Sequence, residues 1–103
     1  MDTPSVNRIA ETVSAWPGIQ TDRLPSNGTD FLLGRREIGH VHGNDSVDIP
    51  FPRRVRDELV AAGRAQPHHW LVQSGWVTIP LCTATDVERA IELLKLSYEL
   101  AVN

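Results

Sequence analysis

Two clusters of turn-forming residues, Pro25-Ser26-Asn27-Gly28 and Gly43-Asn44-Asp45, constrain this chain more than any other feature. Asn and Gly tolerate the positive φ that tight turns demand, and short apolar segments flank each cluster. The spacing predicts two β-hairpins. One joins residues 19–24 to 29–33, and the other joins residues 37–42 to 46–51. Pro50 and Pro52 end the second hairpin, because neither donates a ladder hydrogen bond. A later strand over residues 76–81 sets Val77, Ile79 and Leu81 on one face and Trp76 and Thr78 on the other.

Three helices complete the pattern. Thr3 is the expected N-cap of the first, with Pro4 at its first position and Val6, Ile9, Ala10, Val13 and Trp16 as its apolar stripe. Pro17-Gly18 stops it. A middle helix after Pro52 carries Val55, Leu59, Val60 and Ala62, and Gly63 suits its C′ position. The last helix opens on Thr85-Asp86-Val87-Glu88, read as a capping box, and Val87, Ala90, Ile91, Leu94, Tyr98 and Ala101 mark one of its faces. A chain of 103 residues makes one domain, residues 1–103. The expected fold class is α+β. An antiparallel sheet of about five strands, from two hairpins plus a later strand, carries three helices mainly on one face.

Composition excludes several functions. The net charge of −3 argues against a nucleic-acid binder, which shows a basic surplus. No apolar run is long enough to span a membrane, and the N-terminus lacks a basic-then-apolar leader, so a cytoplasmic protein is expected. Cys82 is the only cysteine, which leaves it without an internal disulfide partner. At the end of an apolar strand it is expected to be a buried, inert thiol. Nine of the ten basic residues are arginines, and the Arg35–Arg36 and Arg53–Arg54 pairs are the ones to weigh for an anionic site.

All four histidines lie between residues 40 and 69. His40 and His42 alternate to one face of a strand, together with Arg36 and Ile38. Hairpin register decides what faces them. A Gly43-Asn44 loop sets His40 opposite Val47, as in a core. A Gly43-Asn44-Asp45 loop sets it opposite Asp48, which would orient and charge the imidazole. Three chemical readings stay open. A histidine is a general base on an acidic organic substrate, with Arg36 steadying the anion. Alternatively His40 and His42, with His68 or His69, bind a divalent metal. Otherwise the histidines pack, and the chain is a non-catalytic binding module that can form a homodimer. Trp70 and Trp76 flank the histidine-bearing segment and suit a pocket for a flat small molecule.

The stretch Arg36-Glu37-Ile38-Gly39-His40-Val41-His42 resembles the R-E-I-x-H-x-H motif of the luciferase domain, found in fungal luciferases and in small bacterial proteins of that family. Gly63-Arg64-Ala65-Gln66-Pro67-His68 is similar to the family's G-x-x-Q-x-H, and Trp76 and the closing helix continue the likeness over residues 35–101. The fungal enzymes oxidise a hispidin-related hydroxypyrone with molecular oxygen. The resemblance thus implies an oxidoreductase of oxygenase type, needing neither metal nor flavin. It acts on an enolisable pyrone or aromatic molecule with oxygen as co-substrate. On that transfer His40 or His42 is the base, Arg36 stabilises the anion and His68 positions the substrate. His69, Trp70, Trp76 and Asp48 line the substrate site. Glu37, alternating away from the histidines, is read as structural. The Asp48–Pro52 run and Pro67, where an arginine precedes the motif's last histidine, depart from the fungal pattern, and the fungal N-terminal hydrophobic anchor is not expected here. Light emission is therefore not expected.

Overall fold

A computed structural model describes residues 3–24, 28–43, 45–68 and 74–103. The elements run α1 (Thr3–Ser14), β1 (Ile19–Arg23), β2 (Thr29–Leu33), β3 (Arg36–His42), β4 (Ser46–Pro50), α2 (Arg53–Ala61), β5 (Gln66–Pro67), β6 (Trp76–Pro80) and α3 (Ala84–Val102). The six strands form one antiparallel sheet in the order β1-β2-β3-β4-β6-β5. The α+β class and both hairpins are as expected. The strand beyond the expected five is β5, whose two residues are too few for any periodicity to reveal.

Strand alternation gives the sheet two unlike faces. Phe31, Ile49 and Val77 form one apolar row, and Val41, Val47 and Ile79 form another, all nearly or fully buried. Helix α3 lies across β3, β4 and β6, and α1 packs against α3. Ile9 and Val13 of α1 and Ala90 and Leu94 of α3 close this core. Burial of this apolar surface is the main drive to fold. The other face carries a polar row instead. Asp30 of β2, His40 of β3, Asp48 of β4, Thr78 of β6 and Gln66 of β5 are successive cross-strand partners.

One irregularity governs the site. Between Phe31 and Leu32 of β2 the register shifts, so that Phe31 pairs with Gly39 while Leu32 pairs with Glu37. Ile38 is the extra residue of a β-bulge. Its side chain is fully buried and its carbonyl accepts a 2.9 Å hydrogen bond from the hydroxyl of Ser97 on α3. A carbonyl that a bulge removes from the ladder needs such a donor when it is buried. Gly39 follows because a Cβ there would come within 2.6 Å of Leu94 Cδ2 and 3.0 Å of the Asp48 carbonyl oxygen.

Three local expectations shift. The capping box of α3 uses Thr83 and Asp86, not Thr85 and Glu88. Thr83 Oγ1 accepts from the Asp86 N–H, and Asp86 Oδ2 accepts from the N–H groups of Thr83 and Cys82. Glu88, freed from that role, pairs with Arg8 of α1. Cys82 is exposed rather than buried, because β6 ends two residues before it. Trp16 lies just past α1 and is only partly buried. Its ring centroid stands 5.3 Å from that of Tyr98, and the Lys95 ammonium sits 5.0 Å from it.

Candidate functional site

The β3–β4 hairpin pairs His40 with Asp48, Val41 with Val47 and His42 with Ser46. This is the longer-loop register, and Gly43 at φ 52° helps to turn it. Asp48 therefore stands beside both histidines on the open face. Its carboxylate is the centre of the site. The Nε2 atoms of His42, His40 and His68 lie 2.7, 3.3 and 3.4 Å from the same oxygen, Asp48 Oδ2. The other oxygen, Oδ1, accepts a 2.7 Å hydrogen bond from the Thr78 hydroxyl. His68 arrives through β5, where its N–H donates to the Trp76 carbonyl at the sheet edge.

The bulge at Ile38 brings in a residue that alternation had assigned elsewhere. Glu37 turns to the histidine face, and its Oε2 accepts from His40 Nδ1 at 2.8 Å. Arg36 is exposed at the start of β3, and by the same alternation the bulge turns it off that face. It does not line the cleft, and the reading of Arg36 as the anion stabiliser is not supported by its placement. Ile38 likewise belongs to the core instead of standing beside His40.

His40, His42, Asp45, Ser46, Asp48, His68 and Thr78 line a cleft of about 340 Å³, near the lower end of small-molecule sites. Trp76 stands at one side, its ring centroid 5.3 Å from that of His40. His69 and Trp70 lie outside the described residues. Of the residues the sequence singles out, the structure brings His40, His42, His68, Asp48 and Trp76 together. Sequence reasoning missed Glu37 as a partner of His40 and Thr78 as a partner of Asp48. The glycine inside a strand pattern, Gly39, was the available signal of a bulge.

The electrostatics follow from this packing. The carboxylates of Asp48 and Glu37 raise the His40 imidazole to about 9, against the burial that opposes its charge. His40 is thus an imidazolium at neutral pH. Asp48 is held well below the usual carboxylate range by hydrogen bonds from His40, Thr78 and His42, although burial opposes this. Asp30, on the other flank of His40, is pushed up to about 7 by burial and by the neighbouring Glu37.

Linkage gives these shifts a sign. The stability that His40 contributes is complete below its ordinary value of 6.5 and is lost as pH rises through about 9. Asp30, also raised, loses its contribution between 3.8 and about 7. Asp48, depressed, loses its contribution as pH falls below the ordinary carboxylate range. In metal-free buffer the midpoint of thermal unfolding is expected to fall from pH 6.5 to 9, and His40→Gln should remove that fall. An alkaline decline of the same size in His40→Gln would assign it to other groups.

No helix among the described residues is long and apolar enough to cross a membrane. Curated proteins and solved structures give no match to this chain. A family model does match, over residues 35–97, and its description is the luciferase domain. The match spans the bulged strand, the histidine hairpin, β5 with the adjoining His68, and most of α3. The chain belongs to the luciferase-domain family.

Proposed function

We propose that the cleft catalyses an oxygen-consuming oxidation of a small, enolisable organic molecule, beginning with proton removal and enolate formation. The observation that carries this reading is the convergence of His40, His42 and His68 on one buried carboxylate oxygen in a cleft of small-molecule size. Such a reaction needs a positive group beside the enolate oxygen and a base beside the proton. His40 fits the first need, since its flanking carboxylates keep it charged. For the same reason it is not the base. His68, brought in from the sheet edge, is the residue assigned to accept the proton. Trp76 offers a flat surface for an unsaturated ring.

With the enolate formed, its carbon donates an electron pair to dioxygen. A carbon–oxygen bond forms, and the distal oxygen takes up the proton. One acidic hydrogen, from C–H in a keto form or O–H in an enol, moves to the distal oxygen, and one dioxygen molecule is consumed to give one carbonyl hydroperoxide. The resemblance to small bacterial proteins of the family and the cytoplasmic setting expected from the sequence accord with this reading.

The test is oxygen uptake by the purified protein with a panel of hydroxypyrones and phenolic enols. At least one compound is expected to be consumed with one equivalent of oxygen. His68→Ala should then slow turnover by about 10²–10⁴-fold, the usual contribution of a general base, with an unchanged circular dichroism spectrum. Saturable binding with no oxygen uptake would replace this reading with that of a binding module.

A further inference from the structure

Asp48 Oδ2 is crowded by imidazole nitrogens. A carboxylate oxygen offers about two lone-pair sites. Three imidazole Nε2 atoms surround Asp48 Oδ2, and two of them, from His40 and His42, lie only 3.1 Å from each other. With the His40 and His42 Nε2 atoms this close, N–H groups aimed at Oδ2 from both rings crowd each other. A cation among these atoms, met by nitrogen lone pairs, resolves the crowding.

The distances suit such an ion. Ligand bonds of about 2.0–2.2 Å place two donor atoms about 2.9 Å apart at a right angle and about 3.4 Å apart at a tetrahedral angle. The His40–His42, His40–Asp48 and His42–Asp48 separations are 3.1, 3.3 and 2.7 Å. The first two fall within that range, and the His42–Asp48 edge is shorter than its lower end. The surrounding hydrogen bonds are those of a metal centre. A ligating histidine usually donates its other ring N–H to a carboxylate, which fixes the tautomer and raises ligand basicity. Glu37 does this for His40, and Thr78 holds the second oxygen of Asp48. Two histidines and one carboxylate are a donor set that divalent transition metals use, and all three residues line the cleft.

The geometry points to a divalent transition-metal site formed by His40 Nε2, His42 Nε2 and Asp48 Oδ2, of the class that binds zinc or ferrous iron. The ion takes the place of the His40 proton and supplies positive charge at the same point. It replaces the expectation of a cofactor-free site. Its use in catalysis rests on the oxidation reading above, whereas its binding does not.

Binding is therefore measured without substrate. Protein stripped with EDTA is titrated with zinc chloride by calorimetry and with cobalt chloride by visible absorption. One equivalent of each is expected to bind, with the ring signals of His40 and His42 shifting together in the NMR spectrum. His42→Ala, at a side chain 43% exposed, should keep the fold and weaken zinc binding at least tenfold. Glu37→Gln should weaken it about 10–100-fold, as loss of a supporting hydrogen bond does. No binding of either ion by the wild type, or equal affinity in His42→Ala, would overturn the site. Failure here leaves the oxygen-uptake test standing, and failure there leaves the metal site standing.

Discussion

Leu94→Ala is expected to lower the unfolding free energy by about 2–5 kcal/mol, the range for a leucine truncated in a closed core. Leu94 is fully buried on α3, and its Cδ2 fills the space in front of Gly39. Rigid strands on the far side of that contact leave the new cavity little room to collapse. A domain of this size has about 5–15 kcal/mol in total, so the variant sits near the edge of stability. Each kcal/mol corresponds to about 4–8 °C in the unfolding midpoint. Urea denaturation beside Glu99→Ala, an exposed position on the same helix, is the appropriate comparison. The latter should stay within about 0.5 kcal/mol of wild type. Equal losses in the two variants would mean that α3 does not dock as described.

Asp48→Asn is the second large effect. The amide nearly preserves shape and can still meet the Thr78 hydroxyl, but the charge facing His40, His42 and His68 is gone. The His40 imidazole then drops from about 9 toward its ordinary value. At pH 5.5 the loss of stability should be roughly 1.5–3 kcal/mol, the worth of hydrogen bonds to a charged group. His42 is the more exposed partner, which keeps the figure below that of a fully buried pair. At pH 9.5, where His40 is largely neutral in the wild type, the two proteins should differ much less. Denaturation at both pH values, with a histidine NMR titration, separates these outcomes. A pH-independent difference would mean that Asp48 acts through packing and not charge.

Much of this was legible in the sequence because it depends on local period. The apolar face of α3 and the shared face of His40 and His42 follow from periods of 3.6 and 2 residues. Trp76 and Thr78 were correctly set on one face of β6, but nothing local indicates that β6 lies beside β4. That neighbour relation is what brings Thr78 to Asp48. The hairpin register was a choice between two loop lengths, and a one-residue slip exchanges Asp48 for Val47 opposite His40. Glu37 and Arg36 exchange expected faces through a single extra residue, Ile38. Its bulge is held from a distance by Ser97, 59 positions along the chain. Such a contact has no local signature.

The short β5 has a consequence beyond carrying His68. Among the described residues it is the last strand on its side of the sheet, and an open edge invites another chain to add to it. The N–H of His68 points inward to the Trp76 carbonyl, so by alternation the outward backbone position belongs to Pro67. Proline has no N–H to offer there. The segment that delivers a histidine to the cleft thus also leaves that edge a poor template for runaway strand addition, protecting the chain against aggregation from the same side that gives the cleft its third imidazole.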